Sequence, residues 1–290
     1  MENMEKSEID LIINNALANA PGEPTLKERL SPFMATATAW FEKWFCPLSL
    51  ISPLDADAEE KEPEYSLFER DAVLKQADRI IVTEAYRLAV PQWDLVLTAN
   101  GFATVDSKNV VPASKARTER LLEGLVEKRD ADIKILLHRL PFFEGWLESE
   151  QAMFFRQTLF QNPEELVCLP RSEHEPLSVW ERYISVIPKI KDLEDSLADE
   201  WFSPELMEEL RKEKQDGKIT GLRRSVAGRI MNQIAANFAE GDFKCRVLQD
   251  ILNIVRKNPL DFPEWVHSET AELFFPPVFK NKKDSPGYFF

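Results

Sequence analysis

The chain has 290 residues, a formal net charge of −14 and a hydrophobic content of 44%. That is enough apolar material for one large core or two small ones. With charged residues at 30% and only 9 glycines, long helices are favoured over a β-sandwich. The acidic balance argues against groove binding to nucleic acid, which relies on Lys and Arg at the phosphates. No run approaches the roughly 20 apolar residues of a membrane helix. The acidic first residues, MENMEKSEID, lack the apolar stretch of a secretory leader. Cys46, Cys168 and Cys245 are odd in number and far apart, and read as buried, reduced thiols of a protein made in the cytosol.

In chain order, Ser7 and Asp10 form a capping-box pattern before LIINNAL. A helix is predicted from Ser31-Pro32, with Phe33, Ala37, Phe41 and Trp44 at helical spacing. Residues 52–68 are acidic, proline-containing and aperiodic, the pattern of an exposed loop. Asp71 to Val90 reads as a helix with Leu74, Ala77, Ile81 and Leu88 inward, ending before Pro91.

DLVLT and FATVD then flank Asn100-Gly101, a hairpin signal near 93–112, because Asn-Gly tolerates the positive φ of tight turns. Ser114 to Leu140 carries one apolar stripe and would form a helix about 40 Å long. Downstream of a linker around 163–176, Ser178 and Glu181 repeat the capping-box pattern. Helices follow near 178–200, 204–214, 221–239 and 243–257.

Two segments match without a gap. WLESEQAMFFRQTLFQN starts at Trp146, and WVHSETAELFFPPVFKN starts at Trp265, an offset of 119 (265 − 146). Seven of the 17 columns are identical, against about one expected from ordinary residue usage. The shared Trp, Ser, Glu and Asn are not periodic apolar positions, so helical periodicity alone does not produce the match. ADRIIVTEAYRLA from Ala77 resembles AGRIMNQIAANFA from Ala227, and WFCP from Trp44 resembles WFSP from Trp201.

The three matches keep their order, which predicts a mainly α chain of two tandem duplicated helical-bundle units. Their expected limits are 1–168, with the inserted β-hairpin, and 173–290. Ser149 and Ser268 suit N-caps, with Glu150 and Glu269 in the first turn, where the helix dipole favours a negative charge. The second such helix must end near Phe275, before Pro276-Pro277. VFKN, and by analogy LFQN, should leave as extended arms.

No catalytic or metal-binding constellation emerges, and no cofactor is expected. His138, His174 and His267 stand apart from one another and from the cysteines. DGKITG lacks the glycine spacing of a phosphate loop. Paired acids such as Asp55/Asp57 lie in a charged run that reads as solvated surface. Ser149 has no general base near it in sequence.

Two features read as partner-binding. One is the hairpin tip, Asn100, Gly101 and Phe102, whose strand edges could pair with a neighbour. The other is the aromatic, Pro-rich tail that contains Phe274, Phe275, Phe279, Tyr288, Phe289 and Phe290. Such a tail seeks a surface on its own chain or on a partner.

The stretch from Pro91 to Leu125 resembles an uncharacterised protein family of Bacteroidota phages and prophages. The residues that carry the likeness are Leu97-Thr98, Gly101-Phe102, Val105, Asn109 and Pro112-Ala113-Ser114-Lys115, with Trp146 and Ser149 further on. Val111 stands where that family has Ala, and two copies stand where a connector has one small helical domain. The resemblance implies a non-enzymatic virion protein assembled in the bacterial cytoplasm, of the head–tail connector or adaptor kind. It implies a homo-oligomeric ring under the portal protein, docked by its tail onto the portal or the next tail ring. An acidic lumen would let DNA pass without sticking. The competing reading is a cytosolic helical adaptor or regulatory protein that binds partner peptides.

Overall fold

The computed structural model describes residues 13, 25–51, 64–93, 96–98, 101–103, 115–143, 145–173 and 175–276. The chain is mainly helical, and it divides into two compact units that interleave in sequence. The first holds residues up to Phe155 together with Asn162–Leu166 and Glu173–Ser185. The second holds Arg156–Gln161, Val167–Ser172 and the chain from Val186 onward.

The first unit is built on α1 (Leu26–Trp44), the short α2 (Leu48–Ile51), α3 (Glu64–Trp93) and α4 (Lys115–Arg139). It is completed by α5 (Glu150–Arg156), whose last residue belongs to the other unit. α3 packs against both α1 and α4. It is buried without a break from Ile80 to Ala85, and Val73, Ala77 and Ala89 are inside as well. α1 contributes Leu30, Ala37 and Phe41, and α4 contributes Leu125, Ile133 and Leu136. Between α3 and α4, β1 (Val96–Thr98) pairs antiparallel with β2 (Gly101–Ala103), with Thr98 opposite Gly101. Gly101, expected within a turn, therefore lies in a strand.

The second unit contains the later turns of α6 (Val179–Leu197), a π-turn over Ala198–Phe202, α7 (Pro204–Gln215), α8 (Gly221–Glu240) and α9 (Cys245–Lys257). It ends in the short α10 (Pro263–Val266) and α11 (Glu269–Phe274). α9 places Leu248, Ile251, Leu252 and Val255 on one buried stripe. The strap Thr158-Leu159-Phe160, carried over from the end of α5, is wholly buried in this unit.

Several boundaries differ from expectation. α1 begins at Leu26, so Pro32 lies inside it. α3 starts at Glu64, within the segment expected to be a loop, and runs past Pro91 to Trp93. A proline in the last turn breaks only one bond of a helix that packing already holds. Leu74 and Leu88 are half-buried, and Val73, Ile80 and Ala89 take the inward positions. Cys46 is buried, but Cys168 and Cys245 are exposed. The capping-box pattern at Ser7 and the acidic stretch 52–63 lie outside the described residues.

Each repeated Trp-x-x-Ser element does the same local work. The Trp146 indole N–H donates to the Phe45 carbonyl at 2.7 Å, just beyond the end of α1. The Trp265 indole N–H donates to the Trp201 carbonyl at 3.2 Å, in the π-turn after α6. Both acceptors are C-terminal helix carbonyls that would otherwise lack a partner. Three residues on, Ser149 Oγ accepts from the Ala152 N–H at 3.1 Å, and Ser268 Oγ accepts from the Ala271 N–H at 3.2 Å. Each serine hydroxyl also donates back to its tryptophan carbonyl at 2.6 Å.

The predicted N-caps, the acidic first turns at Glu150 and Glu269, and the helix end before Phe275 all hold. Gly145, at φ +81°, supplies the left-handed residue that turns the chain into Trp146.

Trp146→Phe and Trp265→Phe each remove one buried donor and leave a helix-terminal carbonyl unsatisfied. Each is expected to lower the unfolding free energy by about 1–3 kcal/mol, read as a lower urea midpoint at unchanged slope.

Candidate functional site

Aromatic side chains form a four-ring ladder at the Trp-x-x-Ser element of each unit. In the first unit the ladder runs Trp44–Phe154–Phe155–Trp146, with successive ring centroids 5.4, 5.4 and 6.2 Å apart. In the second unit it runs Trp201–Phe274–Phe275–Trp265, at 5.7, 6.3 and 6.1 Å. These are edge-to-face and tilted contacts of the kind aromatic quadrupoles favour. The gapless sequence match pairs Phe155 with Phe274, whereas the ring order pairs it with Phe275, a slide of one residue.

The ladders differ in cover. In the first unit the opening turn of α6 lies over the rings. Trp180 meets Phe45 at 4.9 Å and Trp44 at 5.8 Å, and Tyr183 stacks on Phe155 at 6.1 Å. Phe155 is consequently 2% exposed. In the second unit Phe274 and Phe275 are each 38% exposed, and Leu273 beside them is 82% exposed. There the Arg256 guanidinium lies over the Phe275 ring, 3.9 Å from its centroid.

A buried charge network fixes the turn that covers the first ladder. Arg129, 1% exposed, donates to Glu84 Oε2 at 2.9 Å, to Asp130 Oδ1 at 2.9 Å and to Ser178 Oγ at 3.0 Å. Ser178 Oγ donates to Asp130 Oδ2 at 2.7 Å and accepts from the Glu181 N–H at 3.1 Å, so the predicted cap is also an anchor. Arg87 grips Glu84 with two bonds of 2.7 and 2.8 Å. Burial pushes the Glu84 carboxyl up, but the Arg87 and Arg129 guanidiniums outweigh it and hold the group below the usual carboxylate range.

The second unit holds a buried carboxyl group whose pKa moves the other way. Glu194, wholly buried, accepts from the Leu159 N–H at 2.7 Å and from Arg211 Nε at 2.8 Å. Gln161 donates to the Arg211 carbonyl at 2.6 Å, and Lys214 donates to the Leu159 carbonyl. Burial pushes Glu194 up to about 7, against the pull of Arg211, the Leu159 N–H and Lys214. The arm expected from LFQN is therefore a docked strap, held at both its N–H and its C=O.

Of the residues expected to bind partners, Gly101 and Phe102 lie in β2, and Phe274 and Phe275 belong to the open ladder. Asn100, Phe279, Tyr288, Phe289 and Phe290 lie outside the described residues. Phe274 and Phe275 also contact Trp201, Trp265 and Arg256 of their own unit, so they are shared between fold and surface. Trp201, Arg256 and Leu273 were missed as site residues. The WFSP match singled out Trp201, but its value as a ladder rung needs the tertiary fold.

His138 is exposed and pairs with Glu164 at 2.8 Å; His267 is exposed, and His174 lies outside the described residues. Burial, with Glu42 adding to it, pushes the Cys46 thiol up to about 12, which leaves it unreactive at neutral pH. Among the described residues no group of three or more His, Cys, Asp or Glu side chains could hold a metal ion. No described helix is long and apolar enough to cross a membrane.

Residues 54–156 match the profile of a family of unknown function (DUF6712). This stretch takes in α3, the hairpin, α4, the Trp146 turn and α5, and the chain is similar to that family over it. No curated protein and no solved structure matches the chain.

The two buried carboxylates give opposite pH dependences. Glu194, raised when folded, supplies stability that is full below about pH 4.5 and falls as the pH rises towards 7. Glu194→Gln should flatten the stability profile in that window, by on the order of 3 kcal/mol across it, read from urea midpoints at each pH. Glu84, lowered when folded, supplies stability that is present above its ordinary value of 4.5 and lost as acid is added. Glu84→Gln should blunt acid unfolding below pH 4.5 and lower stability at pH 7.

Proposed function

We propose that this chain is a non-enzymatic virion assembly protein of the head–tail connector type, built from two descendants of one helical unit and acting through its C-terminal end. The observation that carries the reading is the open aromatic pair, Phe274 and Phe275, at the head of an aromatic, proline-rich tail in a chain whose other ladder keeps Phe155 and Trp146 buried. A contiguous apolar surface of this kind serves association rather than turnover. The likeness of Pro91 to Leu125 to a phage family supplies the virion context. The net charge of −14 suits a wall past which DNA slides.

Common descent of the two units is supported by the paired Trp-to-carbonyl bonds, the paired serine caps and the paired ladders. It is further supported by Ala77 and Ile80 of α3 and Ala227 and Ile230 of α8, which are buried at matching positions. The inserted hairpin then belongs to the first copy alone.

The test compares the full chain with a chain ending at Pro276, by native mass measurement alone and with a phage portal protein. The full chain is expected to give a ring that joins the portal, and the shortened chain to stay folded and fail to join. A shortened chain that assembles as well as the full one would overturn the reading. So would a full chain that stays monomeric with and without the portal.

A further inference from the structure

We infer that the open ladder of the second unit is a docking site for a partner's helical turn that carries two aromatic residues at i and i+3 next to an acidic side chain. The occupant's chemistry comes from the first unit, where the same four-ring order is covered. Its cover is the opening turn of α6, in which Trp180 and Tyr183 stand three residues apart and Glu181 lies between them.

Covered, the inner ring Phe155 is 2% exposed; uncovered, its counterpart in ring order, Phe275, is 38% exposed. The difference is aromatic area that a second pair of rings would remove from water. Arg256 adds charge complementarity. Its exposed guanidinium lies over Phe275 with Lys257 beside it at the end of α9, and both would face an acidic turn.

The occupant is not the α6 turn of a second copy, because Trp180 and Tyr183 are already buried in their own unit, at 1% and 0% exposure. It is a turn of the same kind on another protein. This site stands whether or not that protein belongs to a virion.

The probe is a fluorescein-labelled peptide of residues 173–187, EHEPLSVWERYISVI, titrated with the full chain and followed by anisotropy. Saturable binding is expected. It should weaken about tenfold when the peptide carries Trp180→Ala and Tyr183→Ala. Phe274→Ala in the protein, and Arg256→Glu as a second variant that leaves every ring in place, should each weaken it to a similar degree, with unchanged helical circular dichroism. No saturable binding to the full chain, or binding that neither protein variant alters, overturns the inference. Binding by a chain ending at Pro276 but not by the full chain also overturns it, and assigns the ladder to the protein's own tail.

Discussion

The fold turns on a tryptophan that closes the end of a helix. A helix leaves its last carbonyls without partners, and burying them unpaired costs free energy that packing must offset. Here an indole reaches the Phe45 carbonyl from Trp146, 101 residues away, and a second reaches the Trp201 carbonyl from Trp265, 64 residues away. Each indole is apolar over most of its surface and polar at one nitrogen, so one side chain fills the core and satisfies the helix end. Once the indole is fixed, the serine three residues on must cap the next helix, and the phenylalanines of that helix must stack beside the tryptophan. The ladders follow from the cap.

The charged interior has a similar logic. Arg129 would be costly in the core by itself. Glu84, Asp130 and Ser178 satisfy it, and the Trp40 ring lies 5.6 Å from its guanidinium. Through Ser178 the network positions Trp180 and so decides that the first ladder is closed. In the second unit the buried acid, Glu194, holds a strap of irregular chain, whose backbone groups would otherwise be unpaired in the core. Buried ions in both units hold segments that helical packing alone leaves unfixed.

Much of this was legible in the residues. The non-periodic Trp, Ser and Glu of the repeated element marked a cap with a structural duty, and both serines perform it. The helices of the second half fall within a few residues of their expected limits, because Ser, Pro and Gly punctuate them. What could not be read is where opposing elements meet. Leu74 and Leu88 were expected inward from spacing alone, but a helix packed on two sides buries Val73, Ile80 and Ala89 first. The linker around 163–176 looked like a boundary because it is polar and rich in proline. Contacts instead give 173–185 to the first unit and 156–161 to the second. Phe274 and Phe275 read as part of a tail that seeks a surface on its own chain or on a partner, but Trp201 and Arg256 come to them only through the fold.

The exchange of short segments between the units has a consequence for how the protein is made. The first unit is not complete when its last long helix leaves the ribosome, since Trp180 and Tyr183 arrive some 25 residues after Phe155. Until then its aromatic rings face water, a state in which a nascent chain sticks to chaperones or to its neighbours. The second unit likewise needs Leu159 and Phe160, which are synthesised before any of its helices. Neither half can therefore be severed at the polar linker and expected to fold alone. Any shuffling of these units by recombination would have to carry the borrowed segments along.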